Sequence, residues 1–220
     1  MGKPHSAWVI SMESELCLNV SATLPLSHAN GPGCRAVIWV QGCSLGCAGC
    51  YNPDTHLHTP KHLVPASELA EWASSIKGIE GLTFSGGEPF EQAGAVAEVI
   101  RLARKSKPEL SVFIFTGYSL DELSSSDDAG VNSLLERVDM LSAGRYESTM
   151  RDSTLLWRGS ANQNLVYLTD RYSQEMESKW ILESPIEEIH LKDSEIVRTG
   201  FLGAGGPLSR IIKSWTQSNP

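Results

Sequence analysis

The stretch Cys34 to Gln41 (CRAVIWVQ) runs directly into Gly42 to Asn52 (GCSLGCAGCYN). The first part is a continuous β-branched and aromatic run without polar alternation, the pattern of a strand buried on both faces in a parallel sheet. The second part carries Cys43, Cys47 and Cys50 in a C-x3-C-x2-C spacing. Gly42, Gly46 and Gly49 let the backbone fold closely around whatever those thiols hold. A buried strand thus delivers three sulfur ligands on one tight loop.

Working outward, strands and helices alternate. A strand is expected over Glu13 to Val20, followed by Ser/Pro/Asn/Gly punctuation through Gly33. Past the cysteine loop, Ala66 to Lys77 has helical spacing between Pro65 and Gly78. Leu82 to Phe84 is a short strand, Glu91 to Lys105 a helix, and Ser111 to Thr116 the next strand. Leu120 to Arg137 is helical but broken at Ser124 to Asp128, and Val138 to Ser142 is a further strand. This repeat of roughly 30 residues is the rhythm of parallel βαβ units. About four units are present, too few for an eight-unit barrel. After Ala161 the rhythm stops. Ile186 to His190 and Glu195 to Thr199 form an expected β-hairpin, and a glycine-rich tail begins at Gly203.

The chain has 220 residues, 41% hydrophobic and 20% charged, which fits one ordinary globular domain, with or without an extension. Its 18 Lys and Arg against 26 Asp and Glu leave a net charge of −8. That excess of anions excludes non-specific nucleic-acid or anionic-membrane binding. No apolar run reaches the ~18 residues of a membrane span, and no secretory h-region opens the chain. A cytoplasmic location is expected.

Five cysteines, three of them within eight residues, make a poor disulfide framework and a good metal signature. Three thiolates can hold three irons of a four-iron cluster, leaving the fourth iron open to a small molecule. The rival is a closed Cys3His zinc site completed by His56 or His58. Cys17 and Cys34 match no ligand position and read as inert thiols. His28, His56 and His58 otherwise read as surface or loop histidines.

C-x3-C-x2-C followed by an aromatic residue resembles the signature of radical S-adenosylmethionine (SAM) enzymes. The likeness extends to Asn30 to Gly33, Cys50-Tyr51-Asn52, Ser85 to Pro89, Thr116-Gly117-Tyr118 and Trp157 to Gln163. In that order these stretches resemble the family of anaerobic ribonucleotide reductase activating enzymes. The resemblance implies an α/β fold, an incomplete (βα) barrel of radical SAM type with a C-terminal β-hairpin extension. It also implies a core over residues 1–163 and an extension over 164–220, either part of the same domain or a substrate- or partner-binding appendage.

By the same resemblance Cys43, Cys47 and Cys50 would ligate a 4Fe–4S cluster whose open iron binds SAM. Tyr51 and Asn52 would lie beside the cofactor, and Gly86, Gly87 and Glu88 would match the methionine-binding motif. Thr116, Ser160 and Asn162 would fall among the ribose and carboxylate contacts. Read blandly, Gly86-Gly87 is an ordinary strand-to-helix turn, and Asn162 a loop hydrogen-bonder.

Two departures bear on function. Ala143-Gly144-Arg145 stands where many activases have Asp-Gly-Lys, and the chain runs on for some 55 residues past the Arg158 to Gln163 stretch. These departures favour a peptide-modifying maturase of the splicease kind, with a glycyl-radical activase as the alternative. A non-catalytic metal-binding module and a radical SAM enzyme acting on a small metabolite are the remaining readings. The expected partners are a polypeptide substrate, a flavodoxin or ferredoxin as electron donor, and an accessory protein.

Overall fold

The computed structural model describes residues 15–192 and 195–200. Its strands are β1 (Cys17–Ser27), β2 (Arg35–Val40), β3 (His62–Pro65), β4 (Gly81–Gly86), β5 (Ser111–Thr116), β6 (Met140–Ala143) and β7 (Asn164–Tyr167). They form one seven-stranded sheet in the order β3-β1-β2-β4-β5-β6-β7. The pairs β2–β4, β4–β5 and β5–β6 are parallel, as the buried apolar runs require. The flanking pairs are antiparallel. The sheet is therefore mixed, parallel in its centre and antiparallel at its flanks, in an α/β fold.

Period-two alternation sorts the central strands onto two faces. Ile38, Phe84, Ile114 and Leu141 lie in one row across β2, β4, β5 and β6, each 0% exposed. Helix α2 (Ala93–Ser106) covers them with Val96, Val99 and Ile100, and α1 (Ala66–Ser75) joins the same cluster. The expected break in the next helix is present. It separates α3 (Leu120–Ser124), capped by Ser119, from α4 (Ala129–Leu135), capped by Asp128.

The opposite face is filled at its lower end. Phe113 and Met140 pack with Leu156, Trp157 and Trp180, the last from α5 (Glu177–Glu183). Beside them Arg35 is wholly buried, its guanidinium donating to Thr83 Oγ1, Pro32 O, Ser111 and Leu82 O. Burial lowers its pKa, and these neutral acceptors satisfy its donors. Among the described residues, the upper end of this face is covered by no helix and borders two cavities.

Several elements differ from the sequence expectation. β1 runs on to Ser27 because Ala22, Thr23 and Leu24 pair with Trp39, Ile38 and Val37, overriding the local turn-like composition. β3 and β7 span four residues each, too short to show a period, and α5 is seven residues long. β7 pairs with β6. Residues just past 163 therefore belong to the main sheet. The hairpin is present as β8 (Glu187–Lys192) and β9 (Glu195–Gly200), a separate two-stranded sheet. The glycine-rich tail lies outside the described residues.

Candidate metal and cofactor site

The cysteine loop is seated by backbone contacts between the ends of β2 and β4. Gly87 N donates to Val40 O at 2.8 Å and Glu88 N to Gly42 O at 2.9 Å. A Cβ on Gly87 would lie 2.1 Å from Gly42 O, and one on Gly86, whose φ is +94°, 2.7 Å from Val40 O. The paired glycines are therefore more than an ordinary turn. They let the cysteine loop lie directly on the β4 turn. The loop is closed on its other side where Gly42 N and Cys43 N donate to Thr55 O and His56 O.

Glu88 is 1% exposed and fully bonded. Its Oε1 accepts from Phe90 N at 3.0 Å and Thr116 Oγ1 at 2.9 Å, and its Oε2 from Gly117 N at 2.8 Å. Burial pushes its pKa up to about 7 against the pull of those donors. This carboxylate ties the β4 turn to the end of β5.

Cys43, Cys47, Cys50, Tyr51, Asn52, Gly86, Gly87, Glu88 and Thr116 all line one cavity. Ser160 and Asn162 do not. Ser160 is 0% exposed and its Oγ accepts from Glu147 N, while Asn162 Nδ2 donates to Arg145 O. Both brace the loop that carries Tyr146. Gln163, by contrast, reaches the cavity wall, its Oε1 accepting from Gly159 N at 2.7 Å. The preceding Trp157 holds a left-handed φ of 53° while 1% exposed, with Ser142 donating to its carbonyl. Packing there imposes a backbone conformation that a bulky residue rarely adopts.

Sequence reasoning missed Tyr146 and Phe115. Tyr146 packs edge-on to Tyr51 with ring centroids 5.1 Å apart, and Arg151 lies over the Tyr51 ring. No motif marks Tyr146. Phe115 was legible, because alternation along SVFIFT puts it on the face opposite Ile114. Arg145, at the departure from the activase pattern, pairs with Glu122 at 2.9 Å and lies over the Tyr118 ring. It braces the rim of the site.

The residues present fit a thiolate-held cluster. Gly117 and Gly159 keep the cavity open, since a Cβ at either would come within 2.3 Å of Leu45 Cδ1 or 2.8 Å of Tyr51 Cε2. Burial raises the Cys43 and Cys50 thiols, so a bound metal would have to displace their protons. His56 and His58 do not line the cavity, and His58 Nε2 instead lies 3.1 Å from Ser44 Oγ and 3.7 Å from Glu91. Among the described residues no three His, Cys, Asp or Glu side chains converge as on a single ion. With His56 and His58 outside the cavity that the three thiols line, the donor set suits a three-thiolate cluster better than a Cys3His zinc shell. Cys17 is exposed, and Cys34 is also outside the cavity. No helix among the described residues is long and apolar enough to cross a membrane.

Comparison with known proteins agrees with this geometry. The anaerobic ribonucleoside-triphosphate reductase-activating protein of Enterobacteria phage T4 is 32% identical over 157 residues, 70% of this chain and 96% of the relative. That of Vibrio cholerae serotype O1 is 33% identical over 152 residues, 66% of this chain and 96% of the relative. That of Escherichia coli K12 is 28% identical over 158 residues, 69% of this chain and 99% of the relative. A family model described as a 4Fe-4S single cluster domain matches residues 29–166, which include every cavity residue. The chain belongs to the 4Fe-4S single cluster domain family.

Proposed function

We propose that this protein is a radical SAM activating enzyme that takes a hydrogen atom from a polypeptide, with an anaerobic ribonucleoside-triphosphate reductase as its substrate. The observation that carries this reading is the single cavity that gathers Cys43, Cys47 and Cys50 with the Gly86-Gly87-Glu88 turn and Thr116. The relatives reported above are reductase-activating proteins, which favours the activase over the maturase that the sequence departures suggested.

A reduced 4Fe–4S cluster would supply the single electron for reductive cleavage of SAM, and that cleavage would provide the one-electron oxidant that takes a hydrogen atom from a glycine of the partner. Cys43, Cys47 and Cys50 would each hold one iron. Gly86 and Gly87 line the cavity without side chains, so their carbonyls are the groups that would meet an ammonium group. Glu88 serves as a positioning residue, because all its bonds hold the turn. Tyr51 offers an aromatic face to an adenine, itself steadied by Tyr146. The electron would come from a flavodoxin or ferredoxin.

The test is anaerobic incubation of iron-loaded protein with a reductant and SAM, with and without the reductase. Expected are methionine and 5′-deoxyadenosine in equal amounts, and a glycyl radical signal when the reductase is present. Intact iron content without SAM cleavage overturns the proposal.

A further inference from the structure

A second cleft, of ≈ 360 Å³, runs beside the cysteine cavity and shares Tyr51, Asn52, Ser85 and Phe115 with it. Its floor is the upper end of the sheet. Ala22 pairs with Trp39 and Trp39 with Ser85, and Phe115 lies one step beyond the Phe84–Ile114 pair. These four residues form a half-open row across β1, β2, β4 and β5 that ends at the cavity mouth.

One wall of the cleft is Val197, Arg198, Thr199 and Gly200 of β9. Side chains of a strand alternate between its faces, so a strand bordering a cleft with one face contributes every second residue. Four consecutive residues mean that β9 meets the cleft edge-on. Its other edge pairs with β8, and among the described residues this edge pairs with no strand. Unpaired backbone N–H and C=O groups therefore border the cleft, the arrangement that captures an extended chain by strand addition.

The hairpin is fixed in place. Glu188 accepts from Ser27 Oγ at 2.5 Å, His28 N at 2.8 Å and Ala29 N at 3.1 Å, and Asn30 Nδ2 donates to Thr199 Oγ1 at 2.8 Å. A strand edge anchored in advance loses less entropy when a partner docks. The hairpin also lies outside residues 29–166, the part matched by the family model.

From this juxtaposition we infer that the cleft seats an extended segment of the polypeptide substrate. The segment adds to the free edge of β9 as a third strand and crosses the Ala22–Trp39–Ser85–Phe115 floor to the cavity. The inference rests on the function proposed above and assigns substrate selection to the hairpin. Tyr51 and Phe115 border both the cleft and the cavity, so the segment reaches the cavity past these two rings. A small metabolite would leave the row of backbone groups unused.

The experiment places Ala22→Trp in the full-length, iron-loaded protein. Ala22 is exposed on a strand that tolerates aromatic residues, at the end of the floor away from the cysteines. Uncoupled SAM cleavage should stay at the wild-type rate, while radical yield on the reductase falls about tenfold through steric exclusion. Ala22→Ser should behave as wild type. Hydrogen exchange at Val197 to Gly200 should slow when reductase is added to wild type. Undiminished radical yield in Ala22→Trp, with no slowing at β9, overturns the cleft assignment and leaves the activase standing. Absence of SAM cleavage by wild type overturns the activase and this inference with it.

Discussion

Thr116 Oγ1 donates a 2.9 Å hydrogen bond to Glu88 Oε1, joining the end of β5 to the turn after β4. Both groups are buried, and Gly117 N adds a second bond from the same loop to the same carboxylate. Two motifs that are separate along the chain are thereby one structural unit, and the cavity wall depends on both.

Glu88→Gln and Thr116→Val should each weaken SAM binding about tenfold, near 1.4 kcal/mol, without reducing iron content. The double variant should be little worse than either single one, because each loosens the same joint between the β4 turn and the end of β5. Calorimetric titration of iron-loaded protein with SAM measures this. Strictly additive losses would mean that the two residues meet SAM independently.

Gly87→Ala tests the seating of the cysteine loop. The added methyl would lie 2.1 Å from Gly42 O and 2.8 Å from Gly42 C, backbone atoms that cannot shift cheaply. The β4 turn and the loop must then separate, at a cost of roughly 1–3 kcal/mol or more. The expected result is a folded protein with strongly reduced iron after reconstitution, read by iron assay beside circular dichroism. Wild-type iron content would show that loop and turn are independent. Gly46→Ala supplies a contrast, since a Cβ there meets nothing within 4 Å although φ is +61°.

The sequence carried the central strands and the cysteine loop because both are local signals. CRAVIWVQ and SVFIFT hold the unbroken apolar runs AVIWV and VFIF, and β2 and β5 fall within a residue of the expected bounds. The thiols, the glycine pair, Glu88 and Thr116 were named by motif, and the fold gathers them in one cavity. Tertiary pairing was not legible. Ala22 to Ser27 reads as a loop until β2 pairs with it, and four-residue β3 and β7 hold no period. Glu88 shows the same limit at the level of chemistry. Its residue type suggested a partner for an ammonium group, but only the fold reveals Thr116 and Gly117 already on its oxygens.

Cys43→Ala, Cys47→Ala and Cys50→Ala should each fail to hold about four irons and four sulfides per chain. Cys17→Ala and Cys34→Ala should retain the full amount, since neither thiol reaches the cavity. His58→Ala should retain it too, its ring being engaged by Ser44 and Glu91. Iron and sulfide assays with absorption spectra decide the matter. A stoichiometric zinc content lost in His58→Ala would restore the Cys3His alternative.

Hairpin attachment should depend on pH through Glu188. Burial alone would raise this carboxyl, but donors at Ser27, His28 and Ala29, with His190 nearby, outweigh it and hold the pKa below the ordinary 4.5. A carboxylate depressed in the folded state contributes stability above its unfolded pKa, and that contribution is lost as pH falls through the folded value. At neutral pH the clasp is therefore complete, and it loosens only in acid below the ordinary carboxylate range. Glu188→Gln replaces one acceptor oxygen with a donor facing other donors, so it should release the hairpin even at pH 7, at about 1–3 kcal/mol. Backbone exchange along β8 and β9 should be at least about tenfold faster in this variant than in wild type at pH 7. The ratio between the two proteins should shrink toward one in acid, where wild type loses the same charge. Comparing variant with wild type at each pH removes the intrinsic pH dependence of exchange. A ratio near one at pH 7 would show that Glu188 does not fasten the hairpin, and would shift that role to the Asn30–Thr199 pair.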